Sequence, residues 1–539
     1  MILRRRVAPS PVPTASWRLS APAARSGRTV SRAGRLLLGA LLLAAGGCRA
    51  AADPLHWPVP PAAAVDPGQP VLWVGLEARL GAVPAGSQAT AAPLVLRSGG
   101  GNLTLVDADG QRFMAPVITL HWRWVPLAEP LTLRRQVLGP FASFESAEAA
   151  ARPWRQAGAE TVIAKPGEWE VWAAATAPAP AGISPRLVEM RADRRLALEL
   201  RRAEGVVPLE GPIRLETPGG LRWGKGVYAG PFRLQSDAHG SWSLVEQVPL
   251  ERYLEGVVPH EIGAGSPAAA LAAQAVLART WALRNHHRFS VDGYHLCADT
   301  QCQVYSDPRQ AGAGVRQAIA ATRHRVLSYG GRPIQAVYHA TNGGIAAGFQ
   351  EGWRGEALPY LRSFSDGPAA FAARFPVPLP AASLPALLGN GAAAYGADHP
   401  LFRWNRRLTA AEIGSALARG GAGVGRPQTL RVLERGPSGR VLALEIGGTD
   451  GTRVLRLDAI RRTLRRIPST LFTLEPAGEG VWQLRGGGFG HGVGLSQAGA
   501  IDLARRGWNT TDILDHYYPG ARLEPLERLG PLRDIGEAP

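Results

Sequence analysis

Short apolar stretches separated by glycine-rich turns open the legible part of the chain. Between residues 71 and 124, runs such as Val71-Leu72-Trp73-Val74 alternate with breaks such as Gly99-Gly100-Gly101-Asn102, a pattern that predicts β structure. Leu131 to Leu138 again has strand character and stops at Gly139-Pro140-Phe141. Ser143 and Ser146 then lead into a helical stretch, Ala147 to Ala157, with Glu145 and Glu148 near its start and Pro153 as an obstacle inside it. Thr161-Val162-Ile163 and Trp169-Glu170-Val171-Trp172 read as two more strands, and 185–235 as further strands between turns at Gly224, Gly226 and Gly230.

The pattern changes after Val248. Ser266 predicts an N-cap and Pro267 a first helical residue. The alanine-rich run that follows predicts a helix of about five turns. Leu271, Ala275 and Ala278 recur at i, i+4 and i+7, which assigns it a buried face. Between 365 and 480, proline-rich turns, a helix near Ala410–Arg419 and a β pair near 430–456 form an insert expected to belong to the same domain. The fold class expected is α+β: a β-rich domain at 206–525 with an Ala-rich helix, a smaller αβ accessory region at 71–205, and a tail at 526–539.

Composition narrows the class. With 45% hydrophobic and 19% charged residues, the 539-residue chain is that of a folded protein of two or three domains. The net charge of +17 is uneven, because residues 1–35 carry eight arginines and no acid, leaving +9 for the rest. A mildly basic body suits an anionic polymer or surface. No recognition helix or zinc-finger spacing points to nucleic acid. Arg32 and Arg35 precede an apolar run from Leu36 to Ala45, followed by Gly46, Gly47 and Cys48. That run is too short for a permanent span and fits an export signal. Cys48 resembles the lipidated cysteine of a lipobox, although Ala45 stands where leucine is usual. Residues 1–48 are thus expected to be a signal segment with possible membrane anchoring through Cys48, and the Ala/Pro-rich 49–70 a linker.

Glu261 is the acid that stands out. Val257, Val258 and Ile262 flank it, and burial raises a carboxyl pKa and makes it a proton donor near neutrality. The alternative is a structural carboxylate that accepts a hydrogen bond from Arg279 or caps a helix. The segment Gly486–Gly499 has seven glycines in fourteen residues. It lacks the Lys-Ser/Thr ending of a phosphate loop. Its glycines predict positive φ and close backbone approach around His491.

Two resemblances follow from these blocks. The β-α-β-β run at 131–175, with Val137, Gly139, Pro140, Phe141, the Ala-rich helix and Gly158-Ala159-Glu160, resembles half of a SPOR domain, a glycan-binding module. The stretch 225–525 resembles the SpoIID/LytB family in four ordered motifs. Tyr253–Glu261 matches "YL-x-GVV-x-x-E", and Ala270–Ala282 matches "A-L-x-AQAV-x-ART-[YW]-A". Thr300–Tyr305 matches "T-x-C-Q-V-Y", and Ala336–Gly344 matches "A-x-[YF]-[HF]-[SA]-[ST]-x-GG". Gly486–Ala500 with Ile513–Gly520 matches "GxGxGHGVGxSQxGA" and "IL-x-HYYPG".

The resemblance implies an exported peptidoglycan lytic transglycosylase, acting in the periplasm or cell envelope. Glu261 would be its single acid/base and peptide-stripped glycan its substrate. Glycosidases ordinarily need two carboxylates. Here an intramolecular muramyl hydroxyl would replace the second, although Asp299 and Asp307 are candidates by position. It also implies substrate-binding roles for Arg279, Gln274, Gln303, Tyr305, Tyr338, Thr341, Asn342, His491, Ser496 and Gln497, with Trp353 as a further aromatic face. For His491, holding a tight loop and acting in the cleft are equally open. No cofactor is required. Some relatives hold zinc with Cys and His, which would make Cys297, Cys302 and His295 ligands with His286 or His287 a distant fourth. Gln301 stands where those relatives have a histidine, and a Cys297–Cys302 disulfide is the preferred reading. The alternative function is a non-enzymatic enhancer of a cell-wall amidase.

Overall fold

The computed structural model describes residues 54–82, 91–389, 393–419, 421 and 423–530. The signal segment with Cys48, residues 49–53 of the linker and 531–539 of the tail lie outside the described residues.

The fold is α+β with strand outweighing helix. A seven-stranded sheet runs in the order Leu296–Cys297, Val71–Leu80, Trp242–Pro249, Phe232–Ser236, Ile213–Glu216, Leu103–Val106, Arg112–Ala115. An eight-stranded sheet is built around the long Val117–Phe141 strand. That strand pairs antiparallel with Leu94–Ser98, Trp169–Ala174 and Arg186–Arg202. The boundary expected at 205/206 therefore does not separate two cores: strands from both sides alternate within one sheet. One apolar cluster runs from Val65 and Leu72 through Leu277 to Leu529. Nor is the described part of the linker a free tether. Val65 is buried in that cluster, and the Trp57 N–H donates to the Ala238 carbonyl at 3.2 Å.

The β-α-β-β run is present as Val117–Phe141, helix α1 (Phe144–Gln156), Thr161–Ala164 and Trp169–Ala174. Ser143 caps α1 by accepting from Ser146 N, and the helix continues through Pro153. The helix starts three residues earlier than expected, because Phe144 packs edge-on against Trp169 at 5.2 Å and makes the first turn part of the core.

Helix α2 (Leu250–Val258) leads through a π-helical turn, Pro259–Gly263, to helix α3 (Ala268–Arg284). The cap of α3 differs from expectation. Pro267 takes the N-cap position, while the Ser266 hydroxyl turns back to donate to the Ile262 carbonyl at 2.7 Å. Nor does α3 have a single buried face: every residue from Ala270 to Leu283 is buried. A helix enclosed on all sides needs no amphipathic stripe, and its alanines allow neighbours to approach closely. Gly256 in α2 meets the same demand. A β-carbon there would fall into the Tyr305 ring and 2.6 Å from the Ser306 carbonyl oxygen.

The insert packs an apolar cluster of its own, running from Trp404 to Leu484. It contains the Ala410–Arg419 helix. The expected β pair is a three-stranded meander, Pro427–Arg435, Val441–Gly448 and Gly451–Arg456. Fully buried Arg440 anchors it by donating to the carbonyls of Ile345 and Asn342, both at 2.9 Å. Replacing Gly256 with alanine is expected to lower stability by about 1–3 kcal/mol, the usual cost of overpacking. Urea denaturation checks this, and an unchanged midpoint would refute the close approach.

Candidate active site

The turn that carries Glu261 forms part of the wall of a cleft of about 730 Å³. The lining includes Gln303, Val304, Tyr338, Trp353, Phe489 and His491 from the domain, and Ser143, Phe144 and Glu145 from the start of α1. From the insert come Arg406, Asp458, Arg461, Arg462, Arg465 and Arg466.

The carboxyl of Glu261 accepts the Val304 N–H at 2.8 Å. The Tyr338 hydroxyl lies between this carboxyl and Gln303 Oε1, 3.1 Å away, and its single proton can be given to either. Gln303 is itself fixed, since its Nε2 donates to the Ala278 carbonyl of α3 at 3.1 Å. Burial pushes the Glu261 carboxyl above its ordinary value, and the Val304 N–H and Tyr338 hydroxyl only partly oppose it. No cation is paired with it among the described residues. The group is thus suited to hold a proton and release it to a bound partner.

His491 is a structural hydrogen bonder. Its Nδ1 accepts the Val493 N–H at 3.1 Å, so Nε2 carries the proton and donates it to the Tyr338 carbonyl at 2.9 Å. Both ring nitrogens are spent on backbone, and burial pushes the imidazole down to about 3, which keeps it neutral. The positive φ expected nearby is present at Gly490 (+113°) and Gly492 (+83°). The His491 ring packs on Trp353 with centroids 4.8 Å apart. Phe489, 42% exposed, presents an aromatic face to the cleft.

Seven of the expected substrate-binding residues are used by the fold instead, and none lines the cleft. Arg279 is fully buried and grips Glu251, not Glu261, through Nε (2.8 Å) and Nη2 (2.7 Å). It also donates to the Arg325 carbonyl at 3.1 Å. Gln274 accepts from Gln497 Nε2 at 3.3 Å, joining α3 to the Gln497–Arg505 helix. The Tyr305 hydroxyl donates to Glu246 at 2.8 Å, and its ring stacks on Tyr253. Thr341 bridges to Phe489, and Asn342 donates to Asp366 at 2.6 Å while accepting the Gly344 N–H at 2.9 Å within its turn. Ser496 caps a helix by accepting from Gly499 N.

Neither Asp299 nor Asp307 is in the lining. Asp299 is exposed, and Asp307 is held by Arg309. The carboxyl that joins Glu261 in the cleft with an upward shift from burial is Asp458, which accepts from the Ser143 and Ser146 hydroxyls. It was not singled out by the sequence; the run Arg461-Arg462-Thr463-Leu464-Arg465-Arg466 beside it was the available signal. Glu145 pairs with Arg288, and Glu351 accepts from Ser438 and Ser363.

Cys297 and Cys302 form a disulfide, which leaves no thiolate for zinc. His295 is held by the Trp73 N–H (2.9 Å) and the Ala63 carbonyl (3.0 Å). Among the described residues, no group of three or more His, Cys, Asp or Glu side chains is placed to hold a metal ion.

Comparison with known proteins gives two family matches. Residues 238–329 match the family described as stage II sporulation protein, which spans α2, the Glu261 turn, α3 and the disulfide. Residues 347–494 match a domain of unknown function, DUF8618. Neither match reaches 131–175, so the SPOR resemblance stands on element order alone. Among similar proteins is the stage II sporulation protein D of Bacillus subtilis. It is 28% identical over 301 residues, covering 52% of this chain and 76% of the relative. An uncharacterized protein of Brachyspira hyodysenteriae is 28% identical over 53% of this chain and 69% of its own length. An amidase enhancer of Bacillus subtilis is 26% identical over 50% and 40%. The class defined by this fold and site is that of SpoIID-like α+β proteins with a glutamate in a long cleft. Over the matched residues the chain is similar to the SpoIID/LytB family.

Replacing Arg279 with alanine leaves the partly buried Glu251 carboxylate without its partner and is expected to cost about 1–3 kcal/mol. Removing both partners together is expected to cost less than the sum of the single changes. Chemical denaturation of the two single variants and the double variant checks this; additive losses would mean the pair does not couple α2 to α3.

Proposed function

We propose that the protein is a peptidoglycan lytic transglycosylase that cleaves MurNAc–GlcNAc bonds in peptide-stripped glycan strands. Glu261 in its acid form protonates the glycosidic oxygen as the bond to the muramyl C1 breaks. The resulting carboxylate then accepts the proton of the muramyl C6 hydroxyl as that oxygen attacks C1. The product is a 1,6-anhydroMurNAc end, no water is consumed, and the carboxyl is restored to its acid form.

The observation that carries this reading is the environment of Glu261: a largely buried carboxyl without a cation, shifted upward, in the wall of a cleft large enough for several sugar rings. The exposed Phe489 face suits a sugar ring, and the arginines suit an anionic strand. An envelope location agrees with the export signal expected at 1–48. Among the described residues, no helix is long and apolar enough to cross a membrane. The SPOR-like segment would extend glycan contact, since the start of α1 lies at the cleft. The second reading is an enhancer that binds glycan for a cell-wall amidase, favoured by the relative of that name.

Mass spectrometry of products from peptide-free strands, with wild type beside Glu261→Gln, separates these readings. Wild type is expected to make anhydro ends and the variant none. Reducing ends would mean hydrolysis and bring Asp458 forward as the partner carboxyl. No cleavage, with binding retained by both proteins, would favour the enhancer.

The same variant makes a stability prediction. A raised folded-state pKa means the native state holds the Glu261 proton more tightly than the unfolded chain, whose value is about 4.3. That contribution is present in full below the unfolded value and is lost as pH rises through the folded one. Glutamine does not ionise, so Glu261→Gln is expected to melt at the same temperature as wild type or higher at neutral pH. A clear drop there would mean that ionised Glu261 stabilises the fold.

A further inference from the structure

The insert contributes a wall of the cleft to which neither family match attaches a role. It lies within the domain of unknown function. The helix Asp458–Thr463 and the turn after it place four arginines there: Arg461, Arg462, Arg465 and Arg466. Two of these are already balanced, Arg462 by Glu168 and Arg466 by Glu412. Arg288 on another part of the lining is balanced by Glu145.

Arg461 is different. Its side chain is partly buried and lies in the cleft lining. Among the described residues it has no hydrogen-bond acceptor and no ion-pair partner. The acid three residues before it, Asp458, acts on it electrostatically but accepts its hydrogen bonds from Ser143 and Ser146. His491 and Arg440, also close by, are committed to backbone carbonyls and offer Arg461 no negative charge. A partly buried guanidinium without a protein acceptor leaves its N–H donors free for a ligand in the cleft. Its planar fork of N–H donors matches a carboxylate in two parallel bonds.

We propose that Arg461 is a specificity-determining residue that binds a carboxylate of the glycan, the free lactyl carboxylate of a muramyl residue. The assignment rests on the cleft being the glycan site proposed above. A lactyl group has a free carboxylate only where the stem peptide has been removed. In a peptide-bearing strand the same carbon is an amide, and the peptide's own carboxylates lie farther from the sugar. Arg461 therefore gives the cleft a chemical means of telling a stripped strand from an intact one, separate from any steric exclusion of the peptide.

The test measures binding, so it does not depend on cleavage. The full chain with Glu261→Gln, and the same chain with Arg461→Gln or Arg461→Lys added, is titrated with three ligands. These are peptide-free strands, the same strands with their lactyl carboxylates converted to neutral amides, and peptide-bearing strands. The Glu261→Gln chain is expected to prefer the free-carboxylate strands over the amidated ones by about tenfold, the scale of one charge-assisted hydrogen-bonded pair. Arg461→Gln is expected to abolish that preference while leaving affinity for amidated strands unchanged, and Arg461→Lys to keep part of it. Peptide-bearing strands are expected to bind as weakly as amidated ones.

A preference that survives Arg461→Gln would overturn the proposal. So would equal weakening toward all three ligands, which would make Arg461 a structural residue. Tight binding of peptide-bearing strands would show that the lactyl carboxylate is not what is read. If the Glu261→Gln chain binds none of the strands, the glycan reading of the cleft fails, and this proposal with it. If binding and preference are as expected but wild type makes no anhydro ends, only the transglycosylase reading fails.

Discussion

Helix α3 passes through the core with every residue from Ala270 to Leu283 buried, and most of the site is placed by that constraint. A helix enclosed on all sides must be thin, hence its alanines. The few polar groups on it must find partners inside the protein. Arg279 finds Glu251 on α2 and so fixes how α2 and α3 meet. Gln274 finds Gln497. The Ala278 carbonyl takes the spare donor of Gln303. The π turn holding Glu261 is strung between two helices that this ion pair ties together.

From that scaffold the electrostatics of Glu261 follow by a short chain. Ala278 holds Gln303, Gln303 aims the Tyr338 hydroxyl, and Tyr338 lies against the carboxyl that Val304 also touches. The Cys297–Cys302 disulfide staples the loop just before Gln303 and Val304. On the far side, His491 holds the Tyr338 carbonyl. Every neighbour of the carboxyl is therefore neutral and positioned by something else. An acid in such surroundings keeps its proton longer than one in water. Preorganised neutral donors serve this purpose better than a cation would, because a cation would favour the ionised form.

Much of this was legible in the residues, and the exceptions have a common cause. The capping serine of α1, the alanine-rich helix, the insert helix at Ala410–Arg419, the disulfide and the positive φ beside His491 all depend on local chemistry. The carboxyl of Glu261 was legible because its apolar neighbours are adjacent in sequence. The partners of Arg279, Gln274, Thr341, Asn342 and Ser496 were not legible, because a buried polar residue in a motif looks the same whether it faces a ligand or the fold. Only its partner decides, and Glu251, Gln497 and Asp366 are 28, 223 and 24 residues away. The boundary at 205/206 failed for the same reason, since strand pairing across it is non-local. The arginine wall was visible as a charge run, but its place at the cleft depends on how the insert folds back through Arg440.

The central claim is that the fold makes Glu261 an acid that stays protonated where ordinary carboxylates do not. Carbon-13 NMR of the full chain with labelled glutamate side chains, assigned by comparison with Glu261→Gln, measures this directly as pH is raised. The account predicts that the Glu261 signal titrates distinctly above the ordinary glutamate value of about 4.3. It also predicts a further rise in Tyr338→Phe, where one of the two groups opposing the shift is gone. A Glu261 midpoint at or below the ordinary value would contradict the account, because the carboxyl would then be ionised at neutral pH with no proton to give.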